Sequence, residues 1–221
     1  MAVFPDRVIR SKRKTLSVSI DSLGQVIVRA PLRYSEEKIA AFLAEKEGWI
    51  LKHKQRICGA GIRLPDKSLD GYSLLLLGEP YLISLCDGAR VRLDADGKRL
   101  FVPKEKSEER LVRFLKENAK RIFTQATAAR AEEMGIAYKS ISVSSATTRW
   151  GSCSGKNELR FSYRLLYAPK QVIDYVIVHE LCHVLHHDHS GAFWAAVESV
   201  LPDYQTKRKW LKDRGALLKI L

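Results

Sequence analysis

Apolar and polar residues alternate over Thr15-Leu16-Ser17-Val18-Ser19-Ile20 and again over Gln25-Val26-Ile27-Val28-Arg29-Ala30, with Asp21-Ser22-Leu23-Gly24 between them. A period of two on both sides of a turn-forming run predicts a β-hairpin. Pro31 ends it. Ser35-Glu36-Glu37 then supplies a helix cap and an acidic first turn, and the pattern predicts a helix to about Arg56, broken by Gly59-Ala60-Gly61. Short strands follow at 72–77, 81–86, 90–94 and 99–102, set apart by Gly78-Glu79-Pro80, Asp87-Gly88 and Asp96-Gly97. Ser107-Glu108-Glu109 opens a long helix over about 107–133, which Gly135 stops. Strands are predicted at 141–144 and 158–164, with a turn at 149–154. Pro169 starts a strongly apolar helix through Val172–Val178, Ser190 caps the next one, and a basic helix runs from about 204 to Arg214 before Gly215. No internal repeat or low-complexity segment interrupts the chain. The pattern predicts an α+β protein with a β-rich region over 1–105, containing one helix, and a second region over 106–221.

The chemistry concentrates at the end of the apolar helix. Of six histidines, five lie between His179 and His189, and they open with His179-Glu180-Leu181-Cys182-His183. On a helix, positions i and i+4 lie on one face, so two imidazoles at this spacing can point at one metal ion. The glutamate beside the first of them can act on water at that metal. The apolar approach to the motif means a buried helix, and buried histidines and a buried glutamate are costly unless they are paired or bind metal. Three protein ligands leave the fourth position of zinc open, as a catalytic site requires. His189, placed where the chain leaves the helix, is the favoured third ligand. Glu198 on the following helix is the rival, giving two His and one Glu. On a continuous helix His187 would stand two turns from His179, so His186 and His187 read as polar residues at a helix end. Cys182 reads as a small core residue, and Trp150, Phe193 and Trp194 as packing around the metal helix.

The chain has 221 residues, enough for a substantial core as one domain or two small ones, and a formal net charge of +13. The excess is spread over both halves, which favours anionic partners such as nucleic acid or nucleotides, and leaves the basic run 207–214 readable as a solvated helix face. Four cysteines, Cys58, Cys86, Cys153 and Cys182, form no C-x-x-C pair, so a disulfide framework is not expected and a reducing compartment is. No apolar run approaches the ~20 residues of a membrane span, and the first residues lack the apolar core of a signal peptide. A cytoplasmic protein without membrane contact is the expectation.

Several strings taken together resemble a known family. Arg149-Trp150-Gly151-Ser152-Cys153-Ser154, Tyr175 through His183, His189-Ser190 with Phe193-Trp194, Leu201-Pro202-Asp203-Tyr204 and Arg208-Lys209-Trp210-Leu211 are similar to the YgjP-like family of zinc metallopeptidases, relatives of SprT-like and WLM-type zincins. Ser11–Lys14, Val28–Pro31 and Gly48-Trp49-Ile50 fit the same family, so the resemblance spans nearly the whole chain. It implies a zincin-like core, with an active-site helix under an edge strand beside a small sheet. It also implies one Zn²⁺ per chain on His179, His183 and His189, which favours His189 over Glu198, and Glu180 as general base. Zincins bind a peptide or protein substrate as an added strand, which makes 158–162 the candidate edge. Tyr204, Arg149 and Arg208 are the candidate substrate or oxyanion donors. Two rival functions remain: metal-dependent hydrolysis of a nucleoside triphosphate, and a DNA-associated protease of the SprT-like kind.

Overall fold

The structure, a computed structural model, describes residues 4–20, 25–58, 68–215 and 218, with positions 53–58 as backbone alone. It is a mixed α+β protein of small sheets and helices. The turn expected at Asp21–Gly24 and the break at Gly59–Gly61 lie outside the described residues, as does the Cys58 thiol. Contacts group the chain into two compact units, 1–64 and 65–219, whereas the sequence pattern draws its line at 105–106. The difference arises because the strands between residues 73 and 103 pack onto elements of the second half of the chain. Among the described residues no helix is long and apolar enough to cross a membrane.

In the first unit the strands β1 (Arg7–Ser11), β2 (Ser17–Ile20) and β3 (Val26–Pro31) form one sheet in the order β1-β3-β2. The expected hairpin partners β2 and β3 run antiparallel, with Val18 opposite Val28. β1 pairs with β3 in parallel and was not foreseen, because Arg7 and Arg10 obscure its alternation. The predicted helix is two, α1 (Glu36–Glu45) and α2 (Glu47–Cys58), divided at Lys46. Ser35 caps the first as expected, its hydroxyl accepting from the Lys38 N–H at 3.4 Å. Val26, Val28, Ala30, Ile39, Leu43 and Ile50 form the core of this unit.

The second unit begins with β4 (Ser73–Leu76), β5 (Glu79–Cys86), β6 (Arg92–Asp94) and β7 (Arg99–Pro103), in the sheet order β4-β5-β7-β6. The turn between β4 and β5 is Leu77-Gly78, both at positive φ (54° and 85°), the geometry of a two-residue hairpin. The turn therefore sits one residue earlier than the Gly78-Glu79-Pro80 punctuation suggested. α3 (Ser107–Met134) buries Leu111, Leu115, Ala119, Phe123, Thr127 and Ala131, every fourth residue and hence one face. Gly135 ends it at φ 62°, where a side chain would be strained.

A three-stranded sheet carries the site. β8 (Ser140–Ser144), β9 (Gly151–Cys153) and β10 (Glu158–Ser162) lie in the order β8-β10-β9. Two expectations are corrected here. The run 149–154 is not only a turn: its middle is a strand. And 158–162 is not an edge, because β10 is paired on both sides, in parallel with β8 and antiparallel with β9. The expected strand also stops at Ser162. Tyr163–Tyr167 instead turn into a buried 3₁₀ helix, fixed in part by the Arg164 guanidinium donating to the Ser145 carbonyl at 2.8 Å. Pro169 then opens α4 (Lys170–Leu185), followed by α5 (Gly191–Val200) and α6 (Tyr204–Arg214). α4 is apolar nearly all round and packs against α3, α5, α6 and β9, which makes it the centre of the unit. A bidentate pair from Arg130 to Asp174, at 2.8 and 2.6 Å, ties α3 to α4.

Candidate metal centre

His179 and His183 project from the same face near the end of α4, as their spacing requires. The helix stops at Leu185 and His186 is extended, so the chain can turn back toward that face. Asp188 accepts the Ser190 N–H at 3.1 Å, and the Ser190 hydroxyl accepts the Phe193 N–H at 3.4 Å, capping α5. The turn so fixed carries His189 to the pair. Nε2 of His179 lies 3.2 Å from Nε2 of His183 and 3.2 Å from Nε2 of His189. Four-coordinate zinc with N ligands at about 2.1 Å separates neighbouring donors by about 3.4 Å. Both distances fit neighbouring ligands of one ion, and ligand atoms of all three histidines lie within 4.8 Å of one another. Among the described residues this is the one histidine, cysteine and carboxylate group with such convergence.

The chemistry of the donors also fits a cation. Burial, followed by the charges of His183 and His189, pushes the His179 pKa down to about 3, and burial lowers that of His183. Neutral imidazoles keep a lone pair for a metal. His183 Nδ1–H donates to the His186 carbonyl at 2.9 Å, which leaves its Nε2 as the free donor. His186 thus contributes its backbone rather than its ring. His187 is exposed and stands outside the cluster, and so does Glu198. His179 Nδ1 is buried without a hydrogen-bond partner among the described residues.

Glu180 is 5% exposed. Burial raises its pKa to about 8, and the charge of Arg149 opposes that rise. Its carboxylate lies against the backbone of β9. A β-carbon at position 151 would stand 2.5 Å from Glu180 Oε1 and 2.6 Å from its Cγ, so only glycine fits there. The sequence carried a signal for this, since a glycine inside a strand often marks a close approach, but the turn reading of 149–154 hid it. Bonding along β9 alternates. The Trp150 carbonyl accepts from the Ser162 N–H at 2.8 Å, and the Ser154 N–H donates to Glu158 at 3.0 Å. The N–H and C=O groups of Gly151 and Cys153 therefore face away from β10, along the edge beside Glu180. Burial and then the Glu180 charge raise the pKa of Cys153, which shares this environment.

An aromatic wall holds the histidines. Phe193 is fully buried and stacks on His183 at 4.4 Å between ring centroids. Trp194 stacks on His189 at 5.7 Å, and Tyr204 stacks on Trp194 at 5.3 Å. Tyr175, four residues before His179 and edge-on to it at 5.8 Å, is a neighbour that the motif alone did not single out. Burial pushes its pKa up to about 12. The three remaining sequence candidates surround the cluster: Tyr204 within the stack, Arg208 with its guanidinium 4.5 Å from the Trp194 ring centre, and Arg149 exposed at the approach to β9. Cys182 points into the core and burial pushes its pKa to about 11, as befits a packing residue. Cys86, Cys153 and Cys182 are free thiols.

A protein-family model described as "YgjP-like, metallopeptidase domain" matches residues 14–214. No curated protein matches the chain. Among solved structures, that of the metallopeptidase zymogen of Pyrococcus abyssi abylysin aligns with 45% of this chain and 98% of its own, at 18% identity and a TM-score of 0.39.

Proposed function

The chain belongs to the YgjP-like metallopeptidase family, and from that premise we propose that it cleaves peptide bonds with one zinc ion held by His179, His183 and His189 and with Glu180 as general base. The observation that carries the reading is the convergence of three histidines, with Nε2 of His179 3.2 Å from Nε2 of each of the other two, beside a buried glutamate. When bound, zinc supplies Lewis acidity toward the substrate carbonyl and lowers the pKa of water. Glu180 accepts a proton from the attacking water at its carboxylate and returns it to the departing amine nitrogen. Burial in the absence of a cation favours its protonated form, so a cation on the adjacent histidines and the Arg149 charge both act to keep the base ionised. The aromatic wall of Tyr175, Phe193, Trp194 and Tyr204 excludes water from one side of the cluster and fixes the ring planes.

In this reading the core is zincin-like, with α4 under the edge strand β9. The outward N–H and C=O groups of Gly151 and Cys153 would receive the substrate backbone as an added strand. This role moves from β10 to β9, since only β9 leaves an edge beside Glu180. Arg149, Tyr204 and Arg208 are the candidate second donors to the developing oxyanion. An all-imidazole donor set suits zinc and disfavours the hard cations used for phosphate chemistry, which argues against the nucleoside triphosphate alternative. The free thiols support a reducing, cytoplasmic setting.

The test is chelation and reconstitution. Metal-stripped protein should cleave no member of a mixed peptide library read by mass spectrometry, and Zn²⁺ but not Mg²⁺ should restore cleavage. Phosphate or pyrophosphate release from nucleoside triphosphates with Mg²⁺, in the absence of peptide cleavage, would overturn the reading.

A further inference from the structure

Among the described residues one cation beside the histidine cluster has no carboxylate partner. Tyr204 and Arg208 are one turn apart on α6 and share a face. Both reach the same ring: Tyr204 stacks on Trp194 at 5.3 Å, and the guanidinium of Arg208 sits 4.5 Å from the ring centre. Trp194 in turn stacks on His189. A single indole therefore links Arg208 to the metal cluster.

The two lysines beside it on the helix have carboxylate partners, which Arg208 lacks among the described residues. Lys207 pairs with Asp203 and Lys209 with Asp213, while Arg214 lies over Trp210. Among the described residues Arg208 has no ion-pair partner, and it is exposed. Arg149, the other cation acting on the site, is likewise exposed and unpaired among the described residues. Of the acids acting on the site, Glu180 is committed to proton transfer by the hydrolytic reading, and the exposed Asp188 accepts the Ser190 N–H. Two exposed guanidinium groups without carboxylate partners among the described residues favour a substrate that brings a negative group of its own.

We propose that Arg208 is a specificity residue that receives a carboxylate of the substrate, so that the chain selects peptides with Asp, Glu or a free C-terminus near the scissile bond. This rests on the peptidase reading. A guanidinium presents its donors as a planar fork that matches a carboxylate with two parallel hydrogen bonds. Stacking on Trp194 holds the fork in place before the substrate arrives, so less side-chain freedom is lost on binding. The exposed side of the group provides access. A polyphosphate would call for several cations around a hard metal, whereas the donors here are three imidazoles with one guanidinium on each flank.

The experiment uses matched peptides with Glu, Gln or Lys next to a scissile bond found in the library, each made with a free and with an amidated C-terminus. In the wild type, kcat/KM should favour the carboxylate-bearing peptide on the order of 10- to 100-fold, the range of a charge-assisted pair. Arg208→Gln should bring that ratio close to one, and Arg208→Glu should turn the preference toward Lys, a reversal that a merely structural role would not produce. The free and amidated arms tell a side-chain carboxylate from the C-terminal one. Binding of the same peptides to metal-loaded Glu180→Gln, by fluorescence anisotropy, should show the same order without turnover. A wild-type ratio near one, or a preference that survives in Arg208→Gln, overturns the assignment. Arg208-dependent binding of acidic peptides that the wild type never cleaves would support the carboxylate site and overturn the peptidase reading beneath it. Nucleoside triphosphate binding that depends on Arg208, with no peptide binding, would overturn both.

Discussion

Replacing Gly151 with alanine isolates the contact between the edge strand and Glu180, the proposed general base. The new methyl group would stand 2.5 Å from Glu180 Oε1, 2.6 Å from its Cγ and 2.8 Å from its Cδ. Ordinary non-bonded contacts between such atoms are about 3.5 Å or more. The overlap is therefore on the order of 1 Å, and it involves Cγ as well as the flexible end of the side chain. Glu180 must leave its rotamer, or β9 must lift from α4. Overpacking of this kind costs about 1–3 kcal/mol, and displacing a catalytic group by about 1 Å lowers turnover on the order of 100-fold. The three atoms nearest that methyl all belong to Glu180, so metal content should not change. Urea unfolding of wild type, Gly151→Ala, Glu180→Ala and the double variant gives the decisive comparison. The stability cost of Gly151→Ala should shrink to a few tenths of a kcal/mol once Glu180 is truncated, because the clash has lost its partner. An equal cost in both backgrounds, or a fully active Gly151→Ala protein, would refute the role assigned to this contact.

His189→Ala should weaken zinc binding by at least 100-fold in competition with a chromogenic chelator, while Glu198→Ala leaves it unchanged; the reverse pattern would assign the third ligand to Glu198. The metal-free protein should show opposed pH effects. His179 titrates near 3 when folded and near 6.5 when unfolded, so its contribution is lost as pH falls below 6.5. Glu180 titrates near 8 when folded against 4.5 when unfolded, so its contribution is full below 4.5 and is lost as pH rises toward 8. Between pH 6.5 and 4.5 the two offset each other. Metal-free Glu180→Gln lacks the second effect and should lose stability on acidification more steeply than wild type, by up to about 1.4 kcal/mol per pH unit. Parallel urea-unfolding profiles for the two proteins would contradict this.

The sequence made the site legible where the chemistry is local. A histidine spacing of four on an apolar helix is itself a geometric statement, and Ser190 before Gly191 marks a helix start that confines His189 to the turn between two helices. The long helix over 107–134 was readable because its four-residue periodicity and its terminal Gly135 agree, although the cap expected of Ser107 is not formed: Ser107 is already helical, and Lys106 at φ 52° precedes it with no side-chain cap bond. What depended on pairing was not readable. β9 is only three residues of Gly, Ser and Cys, with neither alternation nor β-branched side chains, and becomes a strand only through β10. β10 looked like an edge because strand order is a long-range property that local pattern does not encode. The approach of Gly151 to Glu180 joins residues 29 positions apart in different elements, and only the packed unit brings it about. The same limit applies to the division at 64–65, which rests on which elements touch.

The most direct test of the central claim is peptide hydrolysis by zinc-loaded wild type and zinc-loaded Glu180→Gln side by side, with metal content measured in the same samples. The account predicts one zinc per chain in both proteins and cleavage reduced by at least 1,000-fold in the variant, since glutamine keeps the shape of the site but cannot accept the proton. Cleavage at the wild-type rate by Glu180→Gln, or a wild-type protein that holds no zinc, would contradict it.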